Sequence, residues 1–162
     1  LDTLLVHAAV ADRLLTALAP ALLQAGVEVH ADAVAGPPLR QAGVSVVPLQ
    51  TEDLDREWLA PSMNIVVVND VDDAIAHIAR HGSGHSEAIL CDDAAVAARF
   101  LQQVDAAAVY HNASTRFSDG GQFGMGVEVA VSTSRLHPRG PVGPAELTRG
   151  MWIGSGDYLA RA

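Results

Sequence analysis

The alternation of apolar and polar positions divides this chain into short apolar strands separated by helices. Thr3–His7 reads as a strand and leads into Ala8–Gln24, where Val10, Leu14, Leu15, Leu18 and Leu22 recur at helical spacing. Pro20 lies inside that pattern and predicts a kink or a late break, because proline lacks an amide donor and crowds the preceding turn. Gly26 stops the helix ahead of a strand at Val27–Val29. Residues 31–43, rich in alanine, glycine and proline, read as a loop or a poorly formed helix. Val44–Leu49 is then an edge strand closed by Pro48, and Thr51–Trp58 a short acidic helix or exposed turn.

The middle of the chain has the clearest pattern. Asn64–Val68 is a continuous apolar run of β-branched residues, the mark of a strand buried on both faces. Asp70 caps the next helix, whose inner face carries Ala74, Ile75 and Ile78. Gly82-Ser83-Gly84 ends it, and Ser86–Cys91 is the next strand. Asp92 or Asp93 caps a second helix through Gln103, and Ala106–His111 is a third strand. This β-α-β-α-β order predicts an α/β fold with a mainly parallel sheet flanked by helices.

Beyond Asn112, residues 113–126 form a Gly/Ser/Asp-rich loop too long for a simple connector, and loops of that length in compact domains are usually functional or mobile. Val127–Val131 is one more strand. The prolines and glycines from Ser132 onward predict an extended tail rather than a helix, with Met151-Trp152-Ile153 a strand that docks on another subunit. The expected division is a main portion over 1–131 and an extended tail over 132–162.

Composition narrows the function. Of 162 residues, 49% are hydrophobic and 18% charged, the balance of a globular protein able to bury a core. The net charge is −9, and all the basic residues are arginine. Nothing therefore supports nucleic-acid or anionic-membrane binding, which need a cationic surface, although a local arginine site for one small anion remains open. No run approaches the ~18 apolar residues expected of a membrane span. The opening Leu1-Asp2-Thr3-Leu4-Leu5-Val6 reads as a strand entered midway, as in a fragment or a renumbered chain. One cysteine, Cys91, excludes an intrachain disulfide and reads as a buried structural thiol.

Three segments carry a family resemblance. The first runs from Val68 through Ala74-Ile75-Ala76-His77-Ile78-Ala79-Arg80-His81-Gly82-Ser83-Gly84-His85-Ser86-Glu87-Ala88-Ile89. The second is Asn112-Ala113-Ser114-Thr115-Arg116-Phe117-Ser118-Asp119-Gly120-Gly121-Gln122-Phe123-Gly124-Met125-Gly126, and the third is Ser132–Pro141. Together with Asp2–His7 they resemble the C-terminal part of the glutamate-5-phosphate reductases, which are aldehyde-dehydrogenase-like enzymes. The resemblance implies an aldehyde-dehydrogenase-like catalytic domain with a C-terminal oligomerisation tail, a homo-oligomer, and a cytoplasmic location. It implies NADPH-dependent reduction of L-glutamate 5-phosphate to glutamate 5-semialdehyde with release of phosphate, in proline biosynthesis. In such enzymes a cysteine attacks the acyl phosphate and hydride reduces the thioester. That cysteine and the glycine-rich nucleotide-binding region are expected upstream of the segment resembling Leu1–Val6. No catalytic residue is therefore expected in this chain, no cofactor is expected to bind it tightly, and the isolated chain is expected to be inactive.

By the same resemblance, Glu57 of Glu57-Trp58-Leu59-Ala60-Pro61 corresponds to a glutamate that accepts nicotinamide ribose hydroxyls; its alternative is an exposed acidic turn. Leu59 replaces the family's aromatic residue there. Ser83 and His85 lie in the signature turn facing the nicotinamide end of the site. Ser83 is expected at the cofactor and His85 at substrate phosphate, with a hydrogen-bonded structural histidine as the alternative for His85. Ser114, Thr115 and Arg116 occupy the substrate-anchoring loop, where a bidentate guanidinium suits an α-carboxylate. The alternative for Arg116 is an ion pair with Asp119. His77, His81 and His85 are spaced for a metal-ligating helix face, but the Gly82–Gly84 break takes His85 off it, and no metal is expected. A non-catalytic binding or interaction domain on the same fold is the competing reading.

Overall fold

The computed structural model describes residues 1–122, 124, 126–158 and 160. Expectations for the motif at Phe123 and Met125, and for the tail at Leu159, Arg161 and Ala162, lie outside the described residues. Four parallel strands, β1 (Thr3–His7), β2 (Glu28–Ala31), β3 (Val46–Pro48) and β4 (Ser62–Val68), form one sheet in the order β1-β4-β2-β3. β1 and β2 are joined by a 3-10 turn at Ala8–Val10 and by helix α1 (Ala11–Ala25). Leu15, Ala19 and Leu22 of α1 pack against Val6, Val29 and Ile65 of the sheet and Leu39 of helix α2 (Gly36–Gln41). Leu15, Leu39 and Ile65 are fully buried, each stabilising the fold by roughly 1.5–3 kcal/mol. Gly26 closes α1 in the left-handed conformation, and the Val27 N–H reaches back to the Leu22 carbonyl at 3.1 Å.

Several expectations change here. α1 continues through Pro20 to Ala25 rather than breaking, held by one buried face. The 31–43 stretch, read as a loop or a poorly formed helix, takes the helical alternative as α2, with Pro37 and Pro38 in its first turn, where a missing amide costs little. Helical residues Ala8–Ala25 are long and apolar enough to cross a membrane by length and composition, contrary to the expectation that no run approaches that length. Asp12 and Arg13 lie within this stretch, and Leu15, Ala19 and Leu22 face the sheet. β4 is the longest strand, but only Met63, Asn64 and Ile65 are buried, while Val66–Val68 are half-buried.

Helix α3 (Val71–His81) follows β4 and is capped by Asp70, whose carboxylate accepts the Asp72 and Asp73 amides at 2.9 Å. Its inner face is half-buried rather than sealed. Strand β5 (Ser86–Ile89) is shorter than expected, ending before an exposed Leu90. Helix α4 (Ala94–Gln103) is capped by Asp93, and strand β6 (Ala108–His111) follows. The parallel character holds, but β5 and β6 form their own two-stranded sheet instead of extending the first. Periodicity identifies strands; tertiary packing chooses their neighbours.

The tail also departs from expectation. Val127 and Val129 are exposed, and the strand there is β7 (Ala130–Ser132), antiparallel to β8 (Gly140–Val142). A short helix α5 (Pro144–Leu147) follows, begun by Pro144 and by the Glu146 carboxylate accepting the Gly143 amide at 2.8 Å. Met151-Trp152-Ile153 is not a strand in this chain; all three side chains are exposed and no ladder pairs them.

Candidate functional site

The signature turn begins where α3 stops. The Gly82 amide bonds the Ile78 carbonyl at 2.8 Å, so close that a Cβ at position 82 would lie 2.6 Å from that oxygen. Gly84 follows with φ +75°, a conformation that side chains rarely adopt. Between them the exposed Ser83 accepts the His85 amide at 3.2 Å. Ser83 also rims a cleft of about 250 Å³ whose walls include Ile75, Ile78, Arg135 and Arg139. Asp105 holds both arginines, at 2.8 Å from Arg135 Nε and 2.7 Å from Arg139 Nη1. The hydrogen bond from Arg139, with Arg135 adding to it, lowers the Asp105 carboxyl below the usual carboxylate range.

The anchor loop leaves the end of β6. Asn112 adopts φ 51°, tolerated by asparagine better than by most residues. Its amide side chain clasps the backbone of Cys91, accepting the N–H and donating to the carbonyl, both at 3.0 Å. Cys91 itself is half-buried rather than buried, with Sγ 3.6 Å from the Asp93 carbonyl. It lies past the last residue of β5, outside the packed ladder. Ser114 Oγ accepts the Arg116 amide at 3.2 Å and starts a 3-10 turn, Thr115–Phe117, that packs across β5 and β6. Arg116 is exposed, and among the described residues it forms no ion pair; Asp119 instead accepts the Gly121 and Gln122 amides at 2.7 and 3.2 Å.

These two segments meet through side chains. His85 Nδ1 is 2.7 Å from Ser86 Oγ, Ser86 Oγ is hydrogen-bonded to Ser118 Oγ, and Ser118 Oγ is 2.8 Å from the Tyr110 hydroxyl. The structure thus brings Ser83 and His85 beside the loop that carries Ser114, Thr115 and Arg116. Sequence reasoning passed over Ser86, Ser118 and Tyr110, because only the parallel register of β5 with β6 puts Ser86 and Tyr110 on one face.

Glu57 is exposed, and among the described residues no hydrogen bond or ion pair joins it to Ser83, His85 or the 114–116 loop. Its neighbours along the chain are held by side-chain contacts. Buried His30 lies between Asp53 and Glu28, at 3.3 and 3.0 Å, and stacks on Trp58 with centroids 4.2 Å apart. Arg56 covers the Trp58 ring at 4.5 Å. Asp55 pairs with His81 at 2.7 Å, tying this segment to the residue before the signature turn.

The histidines of α3 are not a three-ligand face. His77 and His81 are 4.9 Å apart by ring centroid, while His85 points into the hydroxyl chain. Burial, then the neighbouring His81 and Arg80, lower the His77 pKa, with Asp55 opposing. Among the described residues no three His, Cys, Asp or Glu side chains cluster to hold a metal.

No family model matches the chain. The gamma-glutamyl phosphate reductases of Escherichia coli O1:K1 and of E. coli strain K12 / DH10B are each 52% identical to it over 161 residues, covering 99% of this chain and 39% of their own length. The crystal structure of gamma-glutamyl phosphate reductase from Thermotoga maritima superposes with a TM-score of 0.86 at 43% identity, over 99% of this chain and 38% of that one. The chain therefore spans about 39% of the length of the curated relatives it matches. Over that stretch, and along nearly all of its own residues, the chain is homologous to gamma-glutamyl phosphate reductase.

Proposed function

We propose that this chain forms the substrate-side wall of an NADPH-dependent reductase that converts L-glutamate 5-phosphate to L-glutamate 5-semialdehyde and phosphate. The observation that carries this reading is the juxtaposition of the Ser83–His85 turn with the Ser114–Arg116 loop through Ser86 and Ser118. Arg116, exposed and without an ion pair among the described residues, offers a two-pronged donor to the substrate α-carboxylate. Ser114 Oγ accepts the Arg116 amide, which leaves its hydroxyl proton for the same carboxylate. Thr115 supplies a second hydroxyl, and the Nε2 of His85 faces substrate phosphate.

We read the nucleophilic cysteine as belonging to the part of the enzyme that precedes this stretch. Its thiolate forms the C–S bond as the C–O bond to phosphate breaks, and the acyl group waits as a thioester until reduction. When bound, the dinucleotide supplies the hydride. The exposed carboxylate of Glu57, without a partner among the described residues, fits a ribose diol, and Ser83 is read as a second cofactor contact. The parent enzyme is read as a cytoplasmic homo-oligomer, with the tail over 132–162 contributing to subunit pairing.

A chimera tests the proposal. This chain replaces the corresponding 161 residues of the E. coli relative. The readout is phosphate-dependent reduction of NADP by glutamate 5-semialdehyde, the reverse of the biosynthetic direction. The chimera is expected to be active and the isolated 162-residue chain inactive. A folded but inactive chimera would favour a non-catalytic domain on the same fold.

A further inference from the structure

The hydroxyls of Ser86, Ser118 and Tyr110 form an unbroken hydrogen-bonded chain that starts at His85 Nδ1. Ser86 and Tyr110 stand on β5 and β6, whose register pairs Ser86 with Ala108 and Ala88 with Tyr110, so both project from one face of a rigid ladder. Ser118 is the one member that belongs to the anchor loop. It ends the Thr115–Phe117 turn, and its own amide bonds the Thr115 carbonyl at 3.2 Å. We propose that Ser118 is a latch that fixes the Arg116 loop to the β5–β6 face and to His85, and so determines how tightly the substrate carboxylate is held. The inference rests on the reductase reading and deepens it by naming positioning residues.

The chemistry suits a latch. Each hydroxyl has one proton to give and room to accept, so the chain is satisfied with its donors running toward His85 or away from it. Either tautomer of His85 therefore keeps the bonds. Arg116 has no ion pair of its own among the described residues, and its side chain is long. Its placement then depends on how well its backbone is fixed, and a loop ordered before binding spares that ordering cost when substrate arrives. Removing the Ser118 hydroxyl breaks the loop's bonds to Ser86 and to Tyr110 and frees the loop from the strands.

The test uses the chimera. Ser118→Ala is expected to raise KM for glutamate 5-semialdehyde about tenfold, the cost of one hydrogen bond lost to loop order, with kcat changed less than about twofold. Ser118→Thr keeps a hydroxyl and is expected to restore KM to within about threefold. Ser86→Ala combined with Ser118→Ala is expected to do no more than the larger single change, because both break one chain. An unchanged KM in an active Ser118→Ala chimera overturns the latch while leaving the reductase reading intact. So does a parallel loss of kcat and thermal stability that Ser118→Thr does not rescue. If the unsubstituted chimera is inactive, the reductase reading fails, and amide hydrogen exchange on the 162-residue chain decides the latch. Exchange at Thr115–Ser118 about tenfold faster in Ser118→Ala supports it, and unchanged exchange sinks it.

Discussion

Glu87 shows how a single side chain carries the cost of the second sheet. Burial raises its pKa, so the folded protein binds the carboxyl proton more tightly than the unfolded chain does. Its Oε1 lies so close to the signature turn that a Cβ at Gly82 would come within 3.1 Å of it. The stability linked to this group is fully present below the ordinary glutamate pKa of 4.5 and is lost as pH rises through the folded value. Glu87→Gln, which removes the buried charge, is therefore expected to raise the thermal midpoint at pH 7 and to give little gain at about pH 4. Equal shifts at both pH values would contradict this. Ser83, His85 and Arg116 stand in the segments that carry the resemblance, and the structure sets the Ser83–His85 turn beside the Arg116 loop. Ser86, Ser118 and Tyr110 were not legible in the sequence, because serine and tyrosine are common and their meeting depends on strand register, which no local pattern encodes.

Among the elements, helices were read more faithfully than sheets. A helix carries its own signals: Asp70 and Asp93 at the starts and Gly26 at a stop, each satisfying amides or carbonyls that the helix leaves open. Asp70→Ala removes the acceptor for two amides and is expected to cost about 1 kcal/mol, seen as a lower urea midpoint with an unchanged slope. An unaltered midpoint would mean that α3 is held by packing alone. Where the reading failed, a tertiary contact had outweighed a local rule. α1 runs through Pro20 because Leu15, Ala19 and Leu22 fix one face of it on the sheet. α2, which the sequence offered only as a loop or a poorly formed helix, is a formed helix with Leu39 fully buried. Strand neighbours follow the same logic: β5 and β6 pair with each other, and α4 packs against β6.

For the molecule as a whole, the buried cluster lies between α1, α2 and the four-stranded sheet, whereas α3, β5 and β6 contribute no residue to it. The candidate site belongs to this second, more open half. Its turn, loop and cleft stand at the margins of β5, β6 and the tail, and Asp105 gathers Arg135 and Arg139 of the tail against the end of α4. A stiff first sheet beside a polar, half-buried wall is the arrangement expected of a domain that presents binding groups from loops on a rigid scaffold. Arg116 on this wall is proposed to hold the substrate carboxylate. The most direct measurement is the steady-state kinetics of Arg116→Gln in the chimera. KM for glutamate 5-semialdehyde is predicted to rise by roughly 10- to 150-fold with kcat nearly unchanged, the loss of one charge-assisted pair. A KM that stays at the unsubstituted value in an active chimera would contradict the account.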